Sequence, residues 1–153
     1  MASTFLKLIA GFCRLKKIDD DGTLAAGAPF NVNGAHCSLV HNDKMATDVV
    51  FLHVQYDYVP HESEAAIYKS LLRENHLHFD GHGPGFCISP TTGRIGQITR
   101  LDLARLTPDR LASVLVKHAD RLAQWRDKEW RTAQAFMDRR LPEVGSNAAN
   151  QFR

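Results

Sequence analysis

Residues 71–77, LLRENHL, and residues 85–93, GFCISPTTG, decide the fold of this chain because they mark the end of a helix and the start of a hairpin. Leu71 and Leu72 belong to an apolar stripe on a helix that we expect from about residue 62, and Asn75 is a residue type that commonly ends a helix. The apolar run 86–89, the turn 90–93 and a second run at 95–103 are typical of two antiparallel strands. The two stretches therefore predict a helix followed by a hairpin.

Another helix and three strands are predicted before this unit. An apolar residue recurs every three or four positions over about residues 4–17, which predicts an amphipathic first helix. Asn33-Gly34 is a strong signal for a two-residue hairpin between strands at 30–32 and 35–41. Alternation over 48–59 predicts the clearest strand, with Val50 and Leu52 on one face. The stripe of the first helix consists of Phe5, Leu8, Ile9, Phe12 and Leu15.

The C-terminal part predicts one long helix. Thr107 can cap its start, with Pro108 at the first helical position, and one apolar face runs from Leu111 to Trp125 and on as far as Phe136. Residues 142–153 are expected to form a flexible polar tail. The order α-β-β-β-α-β-β-α predicts an α+β class, with helices packed on an antiparallel sheet in a single domain over residues 1–141.

The composition is that of an ordinary soluble domain. The chain has 153 residues, of which 44% are hydrophobic and 24% charged, and its net charge is +2. Three widely spaced cysteines, Cys13, Cys37 and Cys87, argue against a disulfide framework and for a reducing compartment. No run approaches the roughly 18 apolar residues that span a bilayer. We therefore expect a cytoplasmic protein that does not enter the membrane.

Imidazole and thiol groups raise the alternative of a metal-binding protein or a small enzyme. His76, His78, His82 and Cys87 lie close together in sequence, and zinc favours such ligands. Their spacing fits no familiar zinc site, so we expect surface histidines, no metal and no cofactor. Adjacent strand residues point to opposite faces, so the residue before Cys37, a histidine, is not placed to activate that thiol. No pair of carboxylates suggests acid–base catalysis, and we expect no enzyme.

The basic last helix raises a second alternative, a small nucleic-acid-binding domain. Residues 105–140 contain nine Lys or Arg and five Asp or Glu, together with Trp125 and Trp130. The opposite charges are interspersed, however, as on a solvated helix with internal ion pairs. Trp125 also falls on the apolar face and is expected in the core.

The order of elements, the stretches 71–77 and 85–93, and the helix over 111–125 together resemble the CesT/Tir-chaperone family of type III secretion chaperones, over roughly residues 3–130. The resemblance implies a non-enzymatic homodimer in the bacterial cytoplasm that needs no cofactor or metal. Such proteins bind the N-terminal chaperone-binding region of a secreted effector and keep it extended until the secretion ATPase takes it. This chain departs from the family in its slightly basic charge and its longer last helix.

The resemblance also implies two binding surfaces. We expect effector side chains to dock on the first helix and the sheet, and an effector segment could add a strand to a sheet edge. The same stripe on the first helix would equally suit packing on the sheet, and the sequence leaves both interpretations open. The implied effector-binding residues are Phe5, Leu8, Ile9, Phe12, Val50 and Leu52. The implied dimer interface is Tyr68, Leu71, Leu72 and Phe86.

Overall fold

The computed structural model of the protein describes residues 3–44, 46–59, 61–78 and 83–140, with side chains as far as Lys128. The predicted α+β class and the order α-β-β-β-α-β-β-α are confirmed, with short 3₁₀ turns at His61–Ser63 and Leu103–Arg105. The predicted tail at 142–153 lies outside the described residues. The elements are α1 (Thr4–Lys16), β1 (Phe30–Val32), β2 (Ala35–Val40), β3 (Val49–Gln55), α2 (Glu64–Leu77), β4 (Gly85–Ile88), β5 (Ile95–Asp102) and α3 (Pro108–Arg140).

The five strands form one antiparallel sheet in the order β1-β2-β3-β5-β4. The hairpin between β1 and β2 turns at Asn33 and Gly34, whose φ angles of 49° and 83° are the left-handed values that a two-residue turn of this type requires. β3 is shorter than predicted because its partner β5 begins at Ile95, so that Gln55, opposite Gly96, ends the paired segment.

One face of the sheet carries the core, and the buried residues of all three helices join it. On β3 the core face consists of Val50, Leu52 and Val54, each fully buried, and it continues onto Tyr56, which is 1% exposed. Alternate residues of a strand point to opposite faces, so Phe51 and His53 lie on the other face. The core cluster contains no strand side chain from that second face.

The first and third helices, α1 and α3, begin as the sequence predicts. At the start of α1, Ser3 accepts a hydrogen bond from the backbone N–H of Leu6 (3.2 Å). At the start of α3, the Thr107 hydroxyl accepts one from the N–H of Arg110 (3.2 Å). α3 has 33 residues and is therefore about 50 Å long. None of the helices in the described ranges combines the length and the apolar character that a membrane crossing needs.

Candidate functional site

The apolar stripe of α1, predicted to meet an effector, lies in the core. Phe5, Ile9 and Phe12 are each 3% exposed and Leu8 is 6% exposed. The ring of Phe12 lies 6.3 Å from that of Phe30, and the ring of Phe5 lies 4.9 Å from that of His41. A side chain that has already lost its contact with water offers no surface to a partner. Of the two interpretations that the sequence leaves open, packing on the sheet is the one that these exposures support, and the stripe holds α1 on the sheet.

The two sheet residues predicted to meet an effector are also in the core. Val50 and Leu52 are 0% exposed because they point to the face that the helices cover. Their neighbours Phe51 and His53 point to the uncovered face. The two predicted residues lie on the covered face, so an effector-binding role for this strand is kept as a proposal for Phe51 and not for Val50 or Leu52.

The uncovered face of the sheet, here called the outer face, carries a cluster of apolar side chains. Val40 on β2 is 47% exposed and stands opposite Phe51 on β3. Ile98 on β5 is 40% exposed and stands opposite His53. Burial lowers the pKa of His53, so that its imidazole is neutral near pH 7 and adds no charge to the cluster.

A second apolar surface lies on α2. Leu72 is 68% exposed and Leu77 is 72% exposed, whereas Leu71, on the opposite side of the helix stripe, is 9% exposed and belongs to the core. Of the four residues predicted for a dimer interface, Leu72 is available, Tyr68 is half-buried, and Phe86 is half-buried with its ring 5.7 Å from that of Tyr56. The surface, here called the α2 face, is lined by Ala65, Tyr68, Lys69, Leu72, Arg73, His76 and Leu77.

The β1 edge of the sheet is open beside a cleft. In the hairpin, Phe30 and Val32 direct their backbone groups toward β2, so the N–H and C=O of Asn31 point outward. Among the described residues no group is hydrogen-bonded to this N–H or this C=O. The Asn31 side chain does not cover them, since its Oδ1 accepts a hydrogen bond from the N–H of Gly34 (3.0 Å). The cleft next to this edge measures about 260 Å³ and is lined by Phe12, Lys16, Ile18, Phe30, Asn31, Val32, Asn33, Ala112, Leu115 and Val116.

The β4 edge at the opposite end of the sheet is occupied by a side chain. Asn75 on α2 accepts a hydrogen bond from the backbone N–H of Phe86 (2.7 Å) and donates one to its C=O (2.9 Å). From the sequence, Asn75 is predicted only to end the second helix, and its contact with β4 is missed. The signal that could have found it is an amide side chain at the end of a helix that precedes a short hairpin strand.

The metal and enzyme alternatives find no assembled site in the described part of the chain. No three His, Cys, Asp or Glu residues converge there, and His82 lies outside the described residues. Burial raises the pKa of Cys37 to about 11 and also raises that of Cys87, so both thiols are protonated near pH 7. A protonated thiol is a poor nucleophile, so neither cysteine has the lowered pKa of an activated catalytic thiol.

The nucleic-acid alternative loses part of its charge to internal ion pairs. Arg126 donates two hydrogen bonds to the Asp57 carboxylate, at 2.6 and 3.1 Å, and Arg121 lies 2.8 Å from Glu74. The ring of Trp125 lies 5.1 Å from that of Tyr56, and Trp125 is partly buried against the core, on the apolar face of the helix as predicted. Cations and an aromatic ring engaged in this way are less available to phosphates and bases.

A buried polar pair lies between α3 and the sheet. The Nδ1 atom of His118 donates to the Oε1 atom of Gln97 across 2.9 Å, and Gln97 is 0% exposed. Burial, together with the nearby charges of Arg121 and Lys117, lowers the pKa of His118 to about 4. His118 is therefore neutral near pH 7 and acts as a structural hydrogen-bond donor inside the fold.

Comparisons with known proteins agree with this geometry. The model of the Tir chaperone protein (CesT) family matches residues 35–126, which begin at β2 and end in α3. A chain in the HopA1-SchA chaperone-effector complex is similar, with a TM-score of 0.57, 14% identity, and coverage of 79% of this chain and 94% of that one. A chain in the ExsC-ExsE complex has a TM-score of 0.54, 14% identity, and coverage of 66% and 74%. No curated protein gives a significant match.

Proposed function

Because the chain belongs to the Tir chaperone protein (CesT) family, we propose that it is a cytoplasmic type III secretion chaperone that binds the N-terminal segment of an effector and keeps it extended. The two similar structures, both described as complexes and one of them as a chaperone-effector complex, support this proposal through the shared fold. The observation that carries it is the open β1 edge beside an apolar cleft, since this pairing suits an extended polypeptide.

The β1 edge supplies what an extended segment needs. The free N–H and C=O of Asn31 can pair with the backbone of an added strand, which gives affinity without demanding one sequence. Alternate side chains of that strand would then point toward the cleft, where the partly exposed Phe30, Val32 and Val116 form part of the wall. Backbone pairing and an apolar cleft at the same edge are the two components of recognition by strand addition.

The outer face extends this surface for a longer segment. Val40 and Ile98 are exposed to 47% and 40%, and Phe51 lies between them in the sheet register. A partner that buries this cluster would gain about 25 cal/mol for each Å² of apolar surface, offset by the cost of ordering the segment. We propose that effector side chains dock here instead of on the buried α1 stripe.

The α2 face is the proposed homodimer interface. Two leucines exposed to 68% and 72% on one short helix are a costly arrangement unless another surface covers them. A two-fold interface places the same patch of both subunits in contact, so Leu72 and Leu77 can pack against their own copies. We propose that the chain acts by binding alone and catalyses no reaction, as is characteristic of its family.

The test is to purify the tagged chain from its native bacterium, treat the eluate with nuclease, and identify what remains bound. The proposal predicts one secreted protein held through its N-terminal segment, in a complex of two copies of this 17.1 kDa chain and one effector. Nucleic acid without a protein client in the untreated eluate would contradict it and favour the basic-helix alternative.

A matched pair of variants locates the binding surface in the same experiment. Val116→Asp places a charge at the wall of the cleft, whereas Ala123→Asp places it at an exposed position of the same helix that does not line the cleft. We expect the first variant to bind at least about tenfold less effector, since an effector seated in the cleft would bury the added charge. The second variant should bind as much effector as the parent chain, because its added charge stays exposed. Equal retention by both variants would exclude this cleft as the binding site.

A further inference from the structure

The edge strand β4 is closed by Asn75, and we infer that this side chain determines which end of the sheet accepts an added strand. Pairing of β4 with β5 uses the backbone groups of Gly85 and Cys87, opposite Ile98 and Gly96. The N–H and C=O of Phe86 therefore point away from β5, toward the outer edge. Both of them are bonded to the Asn75 amide, at 2.7 and 2.9 Å.

The Asn75 amide imitates one peptide group of a neighbouring strand. A carboxamide offers one acceptor oxygen and one donor nitrogen, the two groups that a strand beside Phe86 would present. Phe86 is the middle of the short segment between Pro84, which has no N–H to offer, and Ile88, after which the chain turns. With the backbone groups of Phe86 occupied, a strand added at the β4 edge could pair only with the outward groups of Ile88.

The two edges of the sheet are therefore unlike, and each carries an asparagine used in a different way. Asn31 on β1 turns its side chain to the N–H of Gly34 within the hairpin, which leaves its own backbone groups free at the edge. Asn75 instead reaches from a helix to the edge of the sheet. Open edges invite pairing with other chains, and proteins commonly block those edges that are not used.

The strand that Asn75 keeps out is the β4 strand of a second copy. β4 lies next to α2, and the proposed dimer would bring two α2 helices together. In such a dimer, and in any encounter between dimers, an open β4 edge would meet an identical edge and pair with it. By closing this edge, Asn75 leaves β1 as the acceptor for an extended segment. The inference rests on the proposed function in one respect, namely that the extended segment added at β1 belongs to an effector.

The experiment uses the chain alone, so its outcome is independent of effector binding. Asn75→Ala removes both bonds to Phe86, and Asn31→Ala is the matched control, because it removes the turn contact at the other edge strand. Amide hydrogen exchange at Phe86 reports on the closure, and mass by light scattering over a wide range of concentration reports on self-association.

We expect the Phe86 amide of Asn75→Ala to exchange at least about tenfold faster than in the parent chain, since it loses the acceptor that Asn75 provides. We also expect the mass of this variant to rise with concentration above that of the parent, and Ile88→Lys, which adds a charge to the opened edge, to reverse the rise. Asn31→Ala should change neither readout.

The inference is overturned if the Phe86 amide exchanges as in the parent chain, or if it exchanges faster while the mass does not rise. If Asn75→Ala does not fold, Asn75→Asp decides by the same two readouts. That variant keeps an acceptor for the Phe86 N–H but loses the donor to its C=O, so we expect a smaller rise in mass that Ile88→Lys again reverses.

Discussion

The first and second helices are both amphipathic, but they place their apolar residues differently. On α1 four of the five residues of the regular stripe are buried, with Phe5 and Phe12 each 3% exposed, and Leu15 near the end of the helix is 45% exposed. On α2 the stripe that reaches the core is short, with Ile67 and Leu71 buried, and two further leucines lie outside it, exposed to 68% and 72%. The difference teaches that a strong, regular stripe marks the core, whereas the exposed leucines beside the short stripe of α2 are the residues that we propose to meet a partner.

Helix geometry explains the difference. Successive residues of a helix are about 100° apart, so the adjacent pair Leu71-Leu72 cannot both point to the sheet. Leu71 takes the core position, and Leu72 is left facing solvent at the α2 face. The same reasoning applied to α1 identifies Leu6, which follows the buried Phe5 and is 46% exposed.

The largest expected effect is the loss of stability when the α1 stripe is truncated. Phe12→Ala should lower the free energy of unfolding by about 3–5 kcal/mol, because it removes a buried ring and leaves a cavity. Leu72→Ala should lower the stability of the isolated protomer by less than about 0.5 kcal/mol, because its side chain is mostly in water. Urea unfolding of dilute protein measures both, and similar losses would remove the contrast between the helices.

The next effect concerns association. Leu72→Asp should weaken the proposed dimer by at least about a hundredfold, since a central apolar contact is replaced by a charge that must be desolvated. Leu15→Asp, at an exposed leucine of α1, is the matched control and should leave the dimer intact. Sedimentation over a range of concentration measures both. A Leu72→Asp variant that stays dimeric would place the interface elsewhere.

The pH dependence of stability separates a buried imidazole from an exposed one. The folded-state pKa of His118, about 4, lies below its ordinary value of 6.5, so in this interval the unfolded chain binds the additional proton. Stability should therefore fall as the pH is lowered from 6.5 toward 4, by about 1–2 kcal/mol for this half-buried group.

Paired histidine variants assign that pH dependence. His118→Gln should remove most of it, because the glutamine has no ring to protonate, whereas His76→Gln at the exposed α2 face should preserve it. Denaturant unfolding at a series of pH values gives the comparison. If the free energy of unfolding changes equally steeply with pH in His118→Gln and in the parent chain, another group is responsible for the pH dependence.

The smallest expected effect is at the ion pair that joins α3 to the end of the sheet. Arg126→Ala removes two hydrogen bonds to Asp57, but both side chains are more than a third exposed. The loss should therefore be about 0.5–1 kcal/mol, without dissociation of the dimer. Thermal unfolding with and without added salt measures it. A loss as large as that of Phe12→Ala would show that α3 and not α1 dominates the core.

The local features of the fold were predictable because their causes are local. The turn at Asn33-Gly34, the cap at Thr107 and the alternation along β3 depend on neighbouring residues, and the structure confirms each of them. The site was less predictable because exposure depends on which element covers which face. Val50 and Phe51 differ by one position, and only the packing of the helices shows which of them is buried.

Asn75 illustrates the same limit at the sheet edge. Its sequence position indicates the end of a helix, but its contact is with a strand eleven residues later. A contact of that kind depends on how α2 is packed beside β4, and the local pattern shows only that an amide side chain precedes a short hairpin strand. The proposed acceptor role of β1 was likewise not predictable. The sequence predicts a hairpin there, but it does not show which edge of the finished sheet remains open.

The measurement that tests the central claim most directly is amide hydrogen exchange on the chain alone and in its purified effector complex. If the effector adds a strand at β1, the Asn31 amide should exchange at least about tenfold more slowly in the complex, while the Phe86 amide, already bonded to Asn75, should stay unchanged. Slower exchange at Phe86 with no change at Asn31 would contradict the account and place the effector at the opposite edge of the sheet.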